Sequence, residues 1–250
     1  MDITTIATSV ERSLNVIRNH PFILAAHSRK LTKEQSLRWI FCAGRESQSF
    51  PVILIDMLRS SENPVVREIL EENLADELGH GVWEHAHFTH YLQLLEMLGV
   101  NIEHFHEYEK RSGIQLALSL AHNIAQSRNV ERALGYMIVN EAMTPITYLA
   151  AKETLTGFYP GINTNFFDIH ITVDEHHVAE LYKALEAMES DPEEVCFGVE
   201  LGERGMATLL DEAYGIYHTI DDFEAPSEKC PQTMFNSLLE QSPIKFEEHA

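Results

Sequence analysis

An all-α bundle is the fold that three features of this 250-residue sequence predict. Apolar residues recur with a 3.6-residue period over long stretches, and no run alternates as a half-buried strand would. The stretches are punctuated by Pro21, Pro64, Gly99, Gly157 and Pro192, residues that start or stop helices. Hydrophobic residues make up 44% of the chain, enough for one well-filled core at this length.

Taken in order, Asp2 to about Arg18 forms the first helix, and His20-Pro21 interrupts it because proline disfavours helix at the residue before it. A short helix follows to about Lys30. Thr32-Lys33-Glu34-Gln35 reads as a capping box opening the second helix, which runs to about Leu58 with a kink expected at Pro51. Asn63-Pro64 opens the third, expected to reach Leu98 before the Gly99 stop. The fourth spans about Gly113 to Ser127 and the fifth Asn129 to Thr156, before the turn Phe158-Tyr159-Pro160-Gly161. The sixth begins near Thr164 and ends by Ser190, and the seventh follows Asp191-Pro192 to about Thr219. One domain over residues 1–223 is expected, with residues 224–250 as a loosely ordered tail in which Pro226, Ser227 and Pro231 break the pattern.

Charge narrows the function. Acidic residues number 39 against 18 basic, a net of −21, which disfavours nucleic acid or an anionic membrane surface as partner. No apolar stretch approaches the roughly 18 residues needed to cross a bilayer, and Met1-Asp2-Ile3-Thr4-Thr5 lacks the pattern of a secretion signal, so a cytoplasmic location is expected. Cys42, Cys196 and Cys230 form no CxxC pair, which argues against a thiolate metal site. The unusual count is histidine, at 14.

The sixth helix carries His170, Asp174 and His177 at i, i+4 and i+7, which places all three within roughly 60° of one face. Phe167, Leu181 and Leu185 continue the same stripe, so this face points inward. Burying two imidazoles and a carboxylate costs several kcal/mol unless compensated. A metal ion is a strong compensator; a hydrogen-bonded polar cluster is the alternative.

Two other helices turn similar groups inward. Glu141 lies in the middle of an apolar face made by Leu134, Met137, Ile138, Pro145 and Tyr148. In the third helix, Glu77, His80, Glu84 and His87 project within about 120° of one face, more groups than a site needs. Gly79 and Gly81 suggest a bulge there, which leaves the helical phase beyond them open. Inward carboxylates and imidazoles on three helices are how bundles build dinuclear iron or manganese sites, and oxygen and nitrogen donors without thiolate fit those metals, with zinc not excluded.

With those residues in view, the chain resembles the haem-oxygenase-like diiron oxidases over about residues 5–220. That branch shares the fold of the TenA thiaminases, the PqqC oxidase and haem oxygenase, and the resemblance implies a seven-helix bundle of that type. The D-E-x-G-x-G-x5-H element is met by Asp76, Glu77, Gly79, Gly81 and His87, the next glutamate by Glu141, and the H-x3-D-x2-H helix by His170, Asp174 and His177. By that resemblance the ligands are Glu77, His87, Glu141, His170, Asp174 and His177, with Glu77 and Glu141 the carboxylates closest to the chemistry. Relatives with a shorter spacing would need a glutamate where this chain has His80, so His80 or Glu84 could replace or supplement a ligand. His20-Pro21-Phe22 matches a segment of the fold relatives.

The activity so implied is an oxidase or oxygenase with two irons, manganese being an option in one site. O2 would be co-substrate and a peroxo species the oxidant, acting on a small amine, amino acid or fatty-acid-like molecule with an external reductant. A homodimer is implied by the fold. Arg45, Tyr148 and Lys152 are candidate substrate contacts, since a cation facing the cavity could hold a carboxylate, and Glu46 is a candidate supporting group behind the ligands. Two other readings stand beside this one. A TenA-like hydrolase would need a cysteine nucleophile, and Cys42, the only cysteine on a helix expected to face the cavity, does not fall where that family places it; a CADD-like protein would bind a metal or partner without catalysis.

Overall fold

The computed structural model describes residues 3–107, 112–215, 231–241 and 243, apart from the side chains of residues 173–175 and 231–234. Its described residues contain eleven α-helices and no strand: α1 Ile3–Arg18, α2 Pro21–His27, α3 Lys33–Ser60, α4 Pro64–Glu77, α5 His87–Met97, α6 Ile102–Glu107, α7 Ser112–Gln126, α8 Val130–Phe158, α9 Asn165–Glu186, α10 Pro192–Tyr214 and α11 Pro231–Gln241. None is long and apolar enough to cross a membrane.

Helix starts follow the expected local chemistry. Thr32 Oγ1 accepts the Gln35 amide while Gln35 Oε1 accepts the Thr32 amide, a reciprocal cap on α3. The Asn63, Asn129 and Asp191 side chains cap α4, α8 and α10, and His20 caps α2 through Nδ1, which accepts the Phe22 amide. α3 continues through Pro51 to Ser60, so the missing N–H does not end it.

α8 is the central column, packed against α1, α2, α3, α7, α9 and α10. Its closest approach is to α10, where two glycines remove the side chains that would separate the backbones. A Cβ on Gly135 would stand 2.0 Å from the Val195 carbonyl, and one on Gly198 2.0 Å from that of Arg132. The core that results joins Trp39, Tyr91, Phe105, Phe166 and Phe167 to the aliphatic faces of α3, α8 and α10.

Three elements differ from the sequence expectation. The third helix is not continuous: α4 ends at Glu77, short 3₁₀ turns occupy Gly79–Gly81 and Trp83–His85, and α5 starts at His87. A short α6 lies in a segment given no helix from sequence. Part of the expected tail is helical, because α11 carries one face, marked by Phe235, that buries against Trp83 with ring centroids 5.1 Å apart.

Candidate metal centre

The break after α4 is what assembles the site. Gly79, His80 and Gly81 all take left-handed φ values, 56°, 50° and 85°, which turn the chain sharply back. A Cβ at Gly79 would lie 2.4 Å from the Ala86 nitrogen and 2.5 Å from the His85 carbonyl carbon, so only glycine lets the returning strand of backbone pass. The consequence is that His87, ten positions after Glu77, comes back beside it: His87 Nδ1 is 2.9 Å from Glu77 Oε1.

His170, from α9, completes a buried triad in which one ligand-capable atom from each of Glu77, His87 and His170 lies within 4.8 Å of the others. The His87 and His170 rings meet edge to face with centroids 4.8 Å apart, and Tyr148 and Phe166 pack on His170 at the same separation. These contacts fix the imidazole plane. A helical carbonyl fixes its tautomer: His170 Nδ1 donates to the Phe166 oxygen at 2.6 Å, leaving Nε2 with a lone pair. Burial, reinforced by His87, pushes the His170 pKa down to about 4, so this imidazole is neutral near pH 7.

A second group sits alongside. His177 Nδ1 is 3.7 Å from Glu141 Oε1, and its Nε2 hydrogen-bonds Asp76 Oδ2 at 3.1 Å. Asn73 Nδ2 donates to Glu141 Oε1 at 3.1 Å. Asp76 therefore orients His177 from behind, as carboxylates commonly orient metal-binding histidines, and the His177 hydrogen bond holds its carboxyl below the ordinary range. Asp76 was visible in the sequence as part of the motif, but its role was not; Asn73 gave no signal at all.

Glu77, His87, Glu141, His170 and His177 are thus brought together, each more than nine-tenths buried. The Asp174 side chain lies outside the described residues. His80 and Glu84 do not join them. His80 points to solvent at 71% side-chain exposure with Nε2 3.0 Å from Asp76 Oδ1, and Glu84 is exposed, because the left-handed turn rotates both out of the helical phase.

The donor set fits a transition metal. Two ligands on one ion with bonds near 2.1 Å stand about 3 Å apart. His87 Nδ1 and Glu77 Oε1 have that separation yet are not aligned as a hydrogen bond, so the buried nitrogen has no hydrogen-bond partner. Burial opposes charge on both residues, but each overcomes it through the other: His87 is raised in pKa beside Glu77, while Glu77 is held below the usual carboxylate range by His87, His170 and His177. The pocket favours positive charge between them.

Beside the cluster lies a cavity of about 70 Å3, room for several water-sized groups. Glu77, Glu141 and His170 form one wall; Glu46, Phe50, Ile53, Tyr136, Asn140, Thr144, Tyr148 and Met206 contribute others. Of the expected substrate contacts only Tyr148 lines it. Arg45 is buried elsewhere, donating to the Phe105 carbonyl at 2.8 Å and to Gln48 Oε1 at 2.7 Å, with its guanidinium 3.8 Å over the Phe105 ring. Lys152 pairs with Asp168. Both cations already have partners, which draw them away from the cavity.

A helical bundle with a buried carboxylate–histidine cluster of this kind defines a class of protein able to hold a metal ion. Residues 48–204, more than half the chain and all the clustered groups, match the family described as iron-containing redox enzymes, and the chain belongs to that family. No curated protein is significantly similar to it in sequence. In fold it is similar to a TenA homologue from P. horikoshii OT3 (TM-score 0.67, 16% identity, covering 86% of this chain and 98% of that one). It is likewise similar to a TenA homologue from Pseudomonas syringae pv. tomato (0.65, 11%, 84% and 91%) and to a CADD-like protein of unknown function from Nostoc punctiforme (0.63, 14%, 84% and 96%). The fold is therefore that of the TenA and CADD-like proteins, as the sequence resemblance implied.

Proposed function

We propose that this chain is a non-haem diiron oxidase or oxygenase acting on a small organic substrate, with O2 as co-substrate and an external reductant. The observation that carries the reading is the pair of adjoining buried groups, Glu77–His87–His170 and Glu141–His177, in a family of iron-containing redox enzymes. Glu77, His87 and His170 would hold one ion. Glu141 and His177, joined by Asp174 from the His-x3-Asp-x2-His motif, would hold the other, with manganese an option in one site.

Iron would supply the electrons and the O2 chemistry that side chains lack. The protein's own part is positional. The Phe166 carbonyl keeps the proton of His170 on Nδ1, Asp76 holds that of His177 on Nε2, and Asn73 fixes Glu141, so that ligand atoms are presented without reorganisation. Phe50, Ile53 and Met206 give the substrate's side of the cluster an apolar lining.

A TenA-like hydrolysis is less well supported, because Cys42, the cysteine expected to face the cavity, is fully buried and does not line it. The test is oxygen uptake by iron-loaded protein with ascorbate as reductant. Substrate-dependent O2 consumption in the wild type, absent in Glu77→Ala, is the expected result. Equal O2 consumption in both proteins would overturn the assignment.

A further inference from the structure

Buried carboxylates in this fold are answered by a donor. Glu203 accepts from Ser13 Oγ at 2.8 Å, Glu212 from the Ile114 amide at 2.8 Å, and Glu141 from Asn73. Glu77 faces His87.

Glu46, half-buried on α3, differs from these. It lines the cavity together with the metal cluster, yet no hydrogen bond or ion pair reaches it. Glu46 is half-buried, and dense surroundings raise its pKa from the ordinary 4.5 to about 7 by desolvation alone. It also stands close enough to Tyr136 for its charge to add to the burial that raises the phenol's pKa. No Lys or Arg among the described residues lines this cavity, so away from the ligand cluster no side-chain cation answers a substrate carboxylate, and an ionised Glu46 would repel one. The rest of the wall is apolar or carries neutral hydrogen-bonding groups, Asn140 and Thr144 among them.

We infer that Glu46 is the anchor for a protonated amine, and that the substrate is a small cationic amine with an apolar body rather than a fatty acid or other carboxylate. An ammonium group supplies the donors and the charge that Glu46 lacks, and Phe50, Ile53, Leu118 and Met206 receive the hydrocarbon part. Glu46 thereby fixes which carbon or nitrogen faces Glu77 and Glu141. This deepens the oxidase reading and rests on it for taking the cavity as the substrate site.

The test uses matched four-carbon probes, n-butylamine, butyrate and 1-butanol, titrated calorimetrically at pH 8 into the full chain before and after iron loading. The amine should bind at least about tenfold more tightly than either neutral or anionic probe, the size of one charge-assisted hydrogen bond. In Glu46→Gln that preference should vanish, with iron uptake and thermal stability no lower than in the wild type. Butyrate binding as well as n-butylamine, or an unchanged amine preference in Glu46→Gln, would overturn the proposal. An amine preference in a wild-type protein that takes up no iron would support the Glu46 site and overturn the oxidase reading instead.

Discussion

Gly79→Ala isolates the backbone device that brings Glu77 and His87 together. Alanine there carries two costs. The left-handed φ of 56° costs a non-glycine residue about 1–2 kcal/mol. The new Cβ would also meet the Ala86 nitrogen at 2.4 Å and the His85 carbonyl carbon at 2.5 Å, backbone atoms that cannot swing aside, so the turn itself must open. Gly99 offers a control with the first cost alone, since its φ is 66° but nothing lies within 4 Å of an added Cβ. Gly99→Ala should therefore lower Tm by about 2–8 °C, taking 2–4 °C per kcal/mol for a domain of this size. Gly79→Ala should lower it at least twice as far and reduce iron affinity, because His87 moves away from Glu77. Calorimetry and an Fe(II) titration on both variants read these effects. A Gly79→Ala protein with the stability and iron binding of Gly99→Ala would refute the idea that this close crossing builds the site.

Other perturbations separate neighbouring roles. In iron-free protein, Glu46→Gln should be stabilising at pH 8 by up to about 3 kcal/mol, the equivalent of a pKa raised from 4.5 to about 7. The sign follows from the unfolded chain, whose carboxyl ionises first as pH rises, so the wild type loses stability between pH 4.5 and 7; the gain should vanish below pH 4.5, and urea midpoints against pH would expose a flat difference. Arg45→Met should cost about 1–3 kcal/mol by removing the donor to the Phe105 carbonyl, while probe binding in the cavity stays unchanged; an affinity change would return Arg45 to the substrate contacts. Asp76→Asn should weaken iron binding about 10- to 100-fold by loosening His177, a loss visible in competition with a chelator and contradicted by unchanged affinity. Phe235→Ala should free α11 from Trp83, read as faster proteolysis of residues 231–241 with little change in core Tm.

The bundle was legible in the sequence because its signals are local. Thr32 and Gln35, Asn63 and Pro64, and Asp191 and Pro192 mark helix starts by chemistry confined to a single turn. The inward placement of His170 and His177 on α9 was legible for the same reason, since i and i+7 share a face in any helix. The third helix was harder. Gly79 and Gly81 announced a disturbance, but the distance over which the chain returns depends on left-handed angles at three successive residues, which no periodicity encodes. That is why His80 and Glu84 competed with His87 on paper and stand apart from it in space. The roles of Asp76 and Asn73 depend on contacts between helices far apart in sequence, and Arg45 and Lys152 were misleading because their partners, the Phe105 carbonyl and Asp168, could not be seen from composition.

The central claim is a two-iron site, and an anaerobic Fe(II) titration read by elemental analysis after desalting tests it most directly. Two irons per chain are expected in the wild type, with His170→Ala and Asp174→Ala each losing the second equivalent while keeping a folded, helical protein. Two irons retained in both variants, or no more than one in the wild type, would contradict it.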